Sequence, residues 1–255
     1  MRRLFAIGDI HGHHTELMNL YQQLDDAGMR PERDQLVFIG DFIDGGPDSK
    51  KVLDQLIAWQ EAYPHWVFLR GNHGQMMLDA LNDPGNWRTF DLWYNQGGES
   101  TAKSYLPEDL TPYERATATP WKFIDSKHVE WIQQLPYIYE HPTFFFVHAG
   151  LNPNYPLNEQ TIQDLLWIRG EFYNSRHDFG KPVVFGHTTF NEPLVQRVLV
   201  SPEAVKPISC IGIDTMFLNS GKLTAVELDP TNPHIYPRFF FSHSVASESK
   251  QLQRR

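Results

Sequence analysis

A single cysteine, Cys210, stands among 255 residues, so no intrachain disulfide staples the fold. It lies in the apolar run 208–213 and reads as a core thiol. No apolar run is long enough to span a bilayer. The start, Met1-Arg2-Arg3, leads directly into an apolar strand, without the hydrophobic stretch of a signal peptide. Positive charge is scarce: 22 Lys and Arg against 31 Asp and Glu give a net charge of −9, which weighs against nucleic acid as a partner. There is no repeat at solenoid period and no low-complexity linker. With 41% hydrophobic residues, the expectation is a cytoplasmic protein with one sizeable core and no membrane partner.

What the chain does have is a recurring motif. Gly8-Asp9-Ile10-His11-Gly12, Gly40-Asp41-Phe42-Ile43-Asp44 and Gly71-Asn72-His73 each follow a short apolar run, at 4–7, 36–39 and 66–69. Each precedes a helical pattern. Two histidines repeat the arrangement later: His148 closes 144–147, and His187 follows Val183-Val184-Phe185-Gly186. Carboxylate, imidazole and amide groups are thereby placed at the carboxyl ends of five strands, the edge at which open α/β sheets bind ligands.

Strand, helix, strand, helix, strand over the first third implies parallel pairing with right-handed crossovers. Leu17, Leu20 and Leu24 lie at helical spacing with Gly28 as a stop. Ser49 is placed to cap a second helix, and Met76 to Leu81 begin a third that Pro84-Gly85 ends. The segment 83–131 reads as a helical, aromatic-rich insertion over the strand-end edge. Its Trp87, Trp93, Trp121 and Trp131 form either a small local core or a wall lining a substrate. Another helix ends at Pro136. The last hundred residues carry candidate strands at 137–139, 143–147, 183–185, 194–200, 208–213, 223–228 and 236–241, with Asn219-Ser220-Gly221 as a hairpin turn. The pattern predicts an α/β (α+β) domain over 1–241, two mixed sheets packed face to face with helices outside, and a polar tail over 242–255.

Asp9, His11 and Asp41 can supply one divalent metal; Asp41, Asn72, His148 and His187 can supply a second, with Asp41 bridging. Asp9 and His11 are two apart and share a face if the backbone is extended. An Asn ligand is foreign to structural zinc sites, which use Cys and His, so the set points to a catalytic pair of metals. His73 is placed to protonate a leaving group, with Asp44 holding its tautomer and raising its pKa. Arg169, in Leu166-Trp167-Ile168-Arg169, is the candidate clamp for phosphate oxygens. His13 and His14 open a helix. His65, His128, His141, His177, His234 and His243 lack motif context and read as structural.

As a set, the five blocks, with His148-Ala149-Gly150 and Gly186-His187-Thr188 as the last two, resemble the signature of the calcineurin-like metallophosphoesterases. Within them, the blocks resemble the phosphoprotein phosphatase branch, which includes serine/threonine phosphatases and symmetrical diadenosine tetraphosphatases. Gln75-Met76-Met77, Ile213-Asp214-Thr215 and Gly221 to Ala225 are most similar to the bacterial and phage-type members. The resemblance implies a four-layer β-sandwich flanked by helices and a two-metal centre, manganese or an iron/zinc type. It further implies direct attack on a phosphomonoester by a metal-bridging hydroxide, the substrate being a phosphorylated protein or a small phosphate ester. Asn72 then serves both metal and substrate. A symmetrical dinucleoside tetraphosphate hydrolase and a metal-binding pseudo-phosphatase that recognises phosphorylated partners are the alternatives.

Two positions depart from the branch pattern. Gly45 stands where an arginine is usual, and Gly74 where an acid is usual. One positive and one negative charge are gone, which suggests an ion pair lost as a unit.

Overall fold

Strands β1 (Leu4–Ile7) and β2 (Gln35–Phe38) are buried on both faces and, Gln35 apart, apolar, as strands covered from both sides are. Leu4, Ala6 and Val37 face one way, with Ile39 just beyond β2, and join Phe144, Phe146, Val184 and Ile211 in a core between two sheets. Phe5, Ile7, Leu36 and Phe38 face the other way, onto Leu17, Leu20, Val52, Leu53 and Met77 of the helices. In the computed structural model, which describes residues 2–83, 85–199, 206–215 and 221–243, this alternation builds two five-stranded mixed sheets.

The first sheet also holds β3 (Val67–Phe68), β9 (Lys222–Leu228) and β10 (Arg238–His243), in the order β10-β9-β1-β2-β3. β1, β2 and β3 are parallel; β9 and β10 are antiparallel additions. The second holds β4 (Ile138–Glu140), β5 (Phe145–Val147), β6 (Val183–Phe185), β7 (Leu194–Arg197) and β8 (Ile208–Gly212), ordered β4-β5-β6-β8-β7. Its centre, β5-β6-β8, is parallel.

Helices α1 (His14–Asp26), α2 (Ser49–Ala62) and α3 (Asn72–Asn82) cover the outer face of the first sheet. Two short helices, α8 (Ile162–Trp167) and α9 (Gly170–Tyr173), cover the outer face of the second through Leu165 and Phe172. The order helix, sheet, sheet, helix is the expected four-layer architecture. Among the described residues, no helix is long and apolar enough to cross a membrane.

Between α3 and β4 the chain forms α4 (Trp87–Trp93), a π turn (Tyr94–Gly98), α5 (Glu99–Ser104), α6 (Pro112–Thr117) and α7 (Ser126–Gln134). Trp93 and Trp131 are buried in the helix-side core, and Trp121 packs on it. Trp87 is 68% exposed. The local-core reading therefore holds for three of the four indoles. Tyr105 Oη meets His128 Nδ1 at 2.7 Å and His128 Nε2 meets Asp54 Oδ1 at 3.1 Å, tying the insertion to α2. His128 is structural, as its lack of motif context suggested.

Several boundaries shift. β10 starts after Pro237, which has no N–H for the ladder, and runs to His243, two residues into the expected tail. β7 stops at Arg197 at a register shift; Val200 lies outside the described residues. So do Asn219 and Ser220, and the strands flanking that turn, β8 and β9, belong to different sheets and do not pair. α3 ends at Asn82, before Pro84, which is also outside the described residues. Ser49 is the first helical residue of α2, not its cap, and its hydroxyl is used elsewhere.

Phe146 is fully buried in the inter-sheet core. Phe146→Ala should cost ~3–5 kcal/mol in urea unfolding, the range for a buried aromatic truncated to a cavity. A loss below ~1 kcal/mol would mean that the sheets do not close tightly there.

Candidate metal centre

Five parallel strands deliver the candidate residues just past their carboxyl ends. β1 leads to Asp9 and His11, β2 to Asp41 and Asp44, β3 to Asn72 and His73, β5 to His148 and β6 to His187. A sixth, β8, leads to Asp214, a buried carboxylate to which the sequence reading gave no role. Its backbone and side chain hold the loop after β6: Phe190 N donates to Asp214 O at 3.0 Å, and Thr189 Oγ1 to Asp214 Oδ2 at 2.8 Å. The signal that could have found it is the same strand-end placement that picked out the others.

Asp41 stands at the centre. Its Oδ1 accepts from His73 N at 3.0 Å, and its Oδ2 lies 3.3 Å from His148 Nε2, 3.7 Å from His11 Nε2 and 4.0 Å from His73 Nε2. Glycines make room for this crowding. A side chain at Gly71 would put its first carbon 2.0 Å from Asp41 Oδ1, and one at Gly186 would put it 2.0 Å from Asp9 Oδ1. Each glycine thus leaves space for a carboxylate from a different strand. His11, Asp41, Asp44 and His187 all adopt left-handed backbone, φ between 46° and 74°. Such conformations cost ~1–3 kcal/mol each and persist where the surroundings over-determine them. His11 therefore does not share an extended strand face with Asp9; the turn after β1 aims it.

Two groups of donor atoms converge, each within 4.8 Å of one another: His11, Asp41 and His73; and Asp41, His148 and His187. Asn72 Oδ1 joins the second, 2.7 Å from His148 Nε2 and 2.9 Å from His187 Nδ1. Neither group includes Asp9, whose Oδ2 accepts from His187 N at 2.9 Å. His73 occupies the first group in its stead. Asn72 and His73 open α3 rather than end an extended strand, and adjacent helical positions diverge by ~100°. One therefore faces each group.

The tautomers fit cation binding. His148 Nδ1 donates to Ile39 O at 2.9 Å and His11 Nδ1 to Ile43 O at 3.1 Å. The neutral rings then turn Nε2 lone pairs toward Asp41 and, for His148, Asn72 Oδ1. Burial holds His11 and His187 neutral by pushing their pKa values down to about 3. Burial drives the Asp9 carboxyl well above its ordinary range, with Asp214 and Asp41 adding to the effect. For Asp41, burial works upward, but the imidazoles of His148, His73 and His11 outweigh it and lower the pKa. Asp9 Oδ1 and His187 Nε2 are buried without a hydrogen-bond partner, as is Thr188 Oγ1 beside them. The lone pairs of His148 Nε2, Asn72 Oδ1 and Asp41 facing one another, with the orphaned buried Asp9 Oδ1 beside them, are what a divalent-cation site looks like from its ligands alone. The donor set fits the implied pair of metals.

His73 Nδ1 donates to Asp44 Oδ2 at 2.8 Å. Burial opposes protonation of His73, but Asp41 and Asp44 outweigh it and lift its pKa to about 9. Asp44 is itself held from the insertion: Thr101 Oγ1 donates to its Oδ1 at 2.6 Å and Trp93 Nε1 at 3.2 Å. Its backbone N meets Thr101 Oγ1 at 2.8 Å and Ser49 Oγ at 3.2 Å. No motif marks Thr101, Trp93 or Ser49, and their role was not read from sequence. Arg169 caps α9, donates from Nη1 to His187 O at 3.2 Å, and lines a cleft of ≈760 Å³ together with His11, Asp41, Asn72, His73 and His187.

The two departures have separate structural reasons. Gly45 is exposed, adopts φ 85° and donates its N–H to Gly97 O at 3.3 Å. Gly74 is buried, and a first side-chain carbon there would sit 3.0 Å from Ile132 of α7 and 3.7 Å from Arg70. An acid at 74 would press into Ile132. Each glycine thus has a packing role of its own, Gly45 under Gly97 and Gly74 against Ile132.

Comparison with known proteins places this geometry. The sequence pattern of the calcineurin-like phosphoesterases matches residues 2–211. A protein named serine/threonine-protein phosphatase 1, from Salmonella typhimurium, is 31% identical over 206 residues, covering 77% of this chain and 82% of that one. An asymmetrical bis(5'-nucleosyl)-tetraphosphatase from Bacillus mycoides is 26% identical over 241 residues, covering 86% and 88%. Among solved structures, a serine/threonine phosphatase from Saccharomyces cerevisiae superposes with a TM-score of 0.61 at 13% identity, covering 96% of this chain and 80% of that one.

Thr101→Val removes the hydroxyl and keeps the volume. A hydrogen bond to a charged group is worth ~1.5–3 kcal/mol, and chemical denaturation should show a loss of that size. A change below ~0.5 kcal/mol would mean that Asp44 is not anchored through Thr101.

Proposed function

The chain belongs to the calcineurin-like phosphoesterases, and from that premise we propose that it hydrolyses phosphomonoesters on phosphorylated proteins or small molecules. The family and the phosphatase relatives make it a metal-dependent phosphoesterase. Asp9, His11, Asp41, Asn72, His148 and His187 would hold two divalent ions, with manganese the first to test. Such a pair neutralises phosphoryl charge and lowers the pKa of a water.

The chain's own groups supply the rest. Arg169, braced on the His187 carbonyl, keeps further N–H groups for phosphoryl oxygens. Asn72 shares the cleft and directs its amide toward the same centre. Asp44 fixes the Nδ1 proton of His73, so Nε2 is the atom that can give a proton to the departing oxygen.

The observation that carries the reading is the His73–Asp44 pair, set 4.0 Å from the carboxylate shared by both donor groups, in a cleft that Arg169 lines. Of the thirteen described residues lining that cleft, Arg169 alone is lysine or arginine. One fixed cation suits one phosphoryl group better than a chain of four. The dinucleoside reading keeps one support, Trp167 in the same cleft, whose indole could stack on a base. Relatives point it toward the asymmetrical rather than the expected symmetrical class. Manganese-loaded protein should turn over an aryl phosphate and a phosphoserine peptide faster than diadenosine tetraphosphate; the reverse order would select the dinucleoside reading.

His73→Asn should lower turnover by ~10²–10⁴-fold, the size of acid–base catalysis, and leave metal content intact. The loss should shrink for esters with good leaving groups, which need no proton. Equal losses for aryl and alkyl phosphates would reject the acid role. Loss of a metal ion would instead make His73 a ligand, as the first donor group permits.

A further inference from the structure

Two residues of the insertion reach the cleft without any motif to announce them, Leu92 and Gln96. They lie four apart, on one face of the helical segment that runs from α4 into the π turn. That segment is bent at Gln96 (φ −86°, ψ 17°) and Gly97 (φ 110°, ψ −5°). Left-handed backbone at residue 97 suits glycine, and any side chain there would sit 2.8 Å from Gly45 N.

The bend is held at both ends by one carboxylate. Trp93, before it, and Thr101, after it, both donate to Asp44 Oδ1, while Asp44 Oδ2 accepts a hydrogen bond from His73 Nδ1. Gly97 O, at the bend, accepts from Gly45 N. Leu92 and Gln96 are therefore registered to the same group that orients His73. Met76, three residues after His73 on α3, lines the cleft with them. Arg169 stands on the other flank, bonded to the His187 carbonyl, and Trp167 packs edge-on against the His187 ring.

We propose that Leu92 and Gln96 are specificity-determining residues that seat the alcohol half of the substrate, and that this wall favours a neutral, amide-bearing alcohol over an anionic one. The inference rests on the phosphomonoesterase reading. In that reaction water adds to phosphorus, the P–O bond to the alcohol breaks, and the alcohol oxygen takes its proton from His73. Whatever is attached to that oxygen lies on the His73 flank, against Met76, Leu92 and Gln96. Leu92 is 52% exposed and offers apolar surface. The Gln96 carboxamide is exposed and makes no hydrogen bond among the described residues, so both its donor and its acceptor are available to a peptide amide. None of the three carries charge. Among the described residues, Met76, Leu92 and Gln96 offer no charge-assisted partner to the several negative charges that a nucleotide leaving group would lay along them.

The test compares manganese-loaded wild type with Leu92→Ala, Gln96→Ala and Gln96→Lys, on a phosphoserine peptide, on diadenosine tetraphosphate, and with inorganic phosphate as inhibitor. Gln96→Ala should raise KM for the peptide by about threefold to tenfold, the worth of one neutral hydrogen bond, while the phosphate inhibition constant stays put. Leu92→Ala should do likewise. Gln96→Lys should shift the peptide-to-dinucleotide preference toward the dinucleotide by about tenfold, the worth of one charge-assisted contact. Equal rises in peptide KM and in the phosphate constant would place Gln96 on the phosphoryl group and overturn the proposal. So would variants indistinguishable from a wild type that does cleave the peptide. A wild type that cleaves only the dinucleotide would overturn the phosphomonoesterase reading itself, and the seat with it.

Discussion

A buried carboxylate shared by two groups of imidazoles is the constraint on which this molecule is organised. Asp41 is almost wholly buried, in left-handed backbone, with three imidazole Nε2 atoms within 4.0 Å of one of its oxygens. Burying a charge is costly unless it is paired or bound to metal. Here the nearby acids Asp9 and Asp214 are buried as well, and His11 and His187 are held neutral. The six parallel strand ends thus create a surplus of lone pairs that divalent cations would satisfy. The glycines at 71 and 186 serve this arrangement by leaving space for the carboxylates of Asp41 and Asp9.

The sandwich explains why such an edge can exist. Both sheets contribute parallel strands at their centres, so their carboxyl ends meet at one side of the molecule. Tight packing of Leu4, Ala6, Val37 and Val184 between the sheets keeps those ends in register. The insertion then completes the site from above. Through Thr101 and Trp93 it fixes Asp44, and through Asp44 it fixes His73. A fold element and the His73 imidazole are coupled by hydrogen bonds to a single carboxylate.

How much was legible follows from what each residue depends on. Asp9, His11, Asp41, Asn72, His148 and His187 sit directly after apolar runs, and local sequence alone places them at one sheet edge. Their fine aim was not legible, because it comes from turns. Extended spacing suggested that Asp9 and His11 share a face, whereas His11 takes φ 48°. His73 was kept apart from the metals, whereas the opening turn of α3 swings it toward His11. Thr101, Trp93 and Gln96 were invisible because tertiary docking, not a local pattern, gives them their roles. The ion-pair reading of Gly45 and Gly74 rests on charge alone. Backbone and volume are added by their surroundings: a left-handed residue under Gly97, and a contact with Ile132.

The two donor groups that meet at Asp41 predict that it is shared by two cations. The direct measurement is anomalous diffraction from crystals of the manganese-loaded protein, at the manganese edge. Two peaks per chain are predicted, about 3.5–4 Å apart as in other two-metal sites, one on each side of the Asp41 carboxylate. One should touch Asn72, His148 and His187, the other His11. A single peak under saturating manganese, or a second peak out of reach of Asp41, would contradict it.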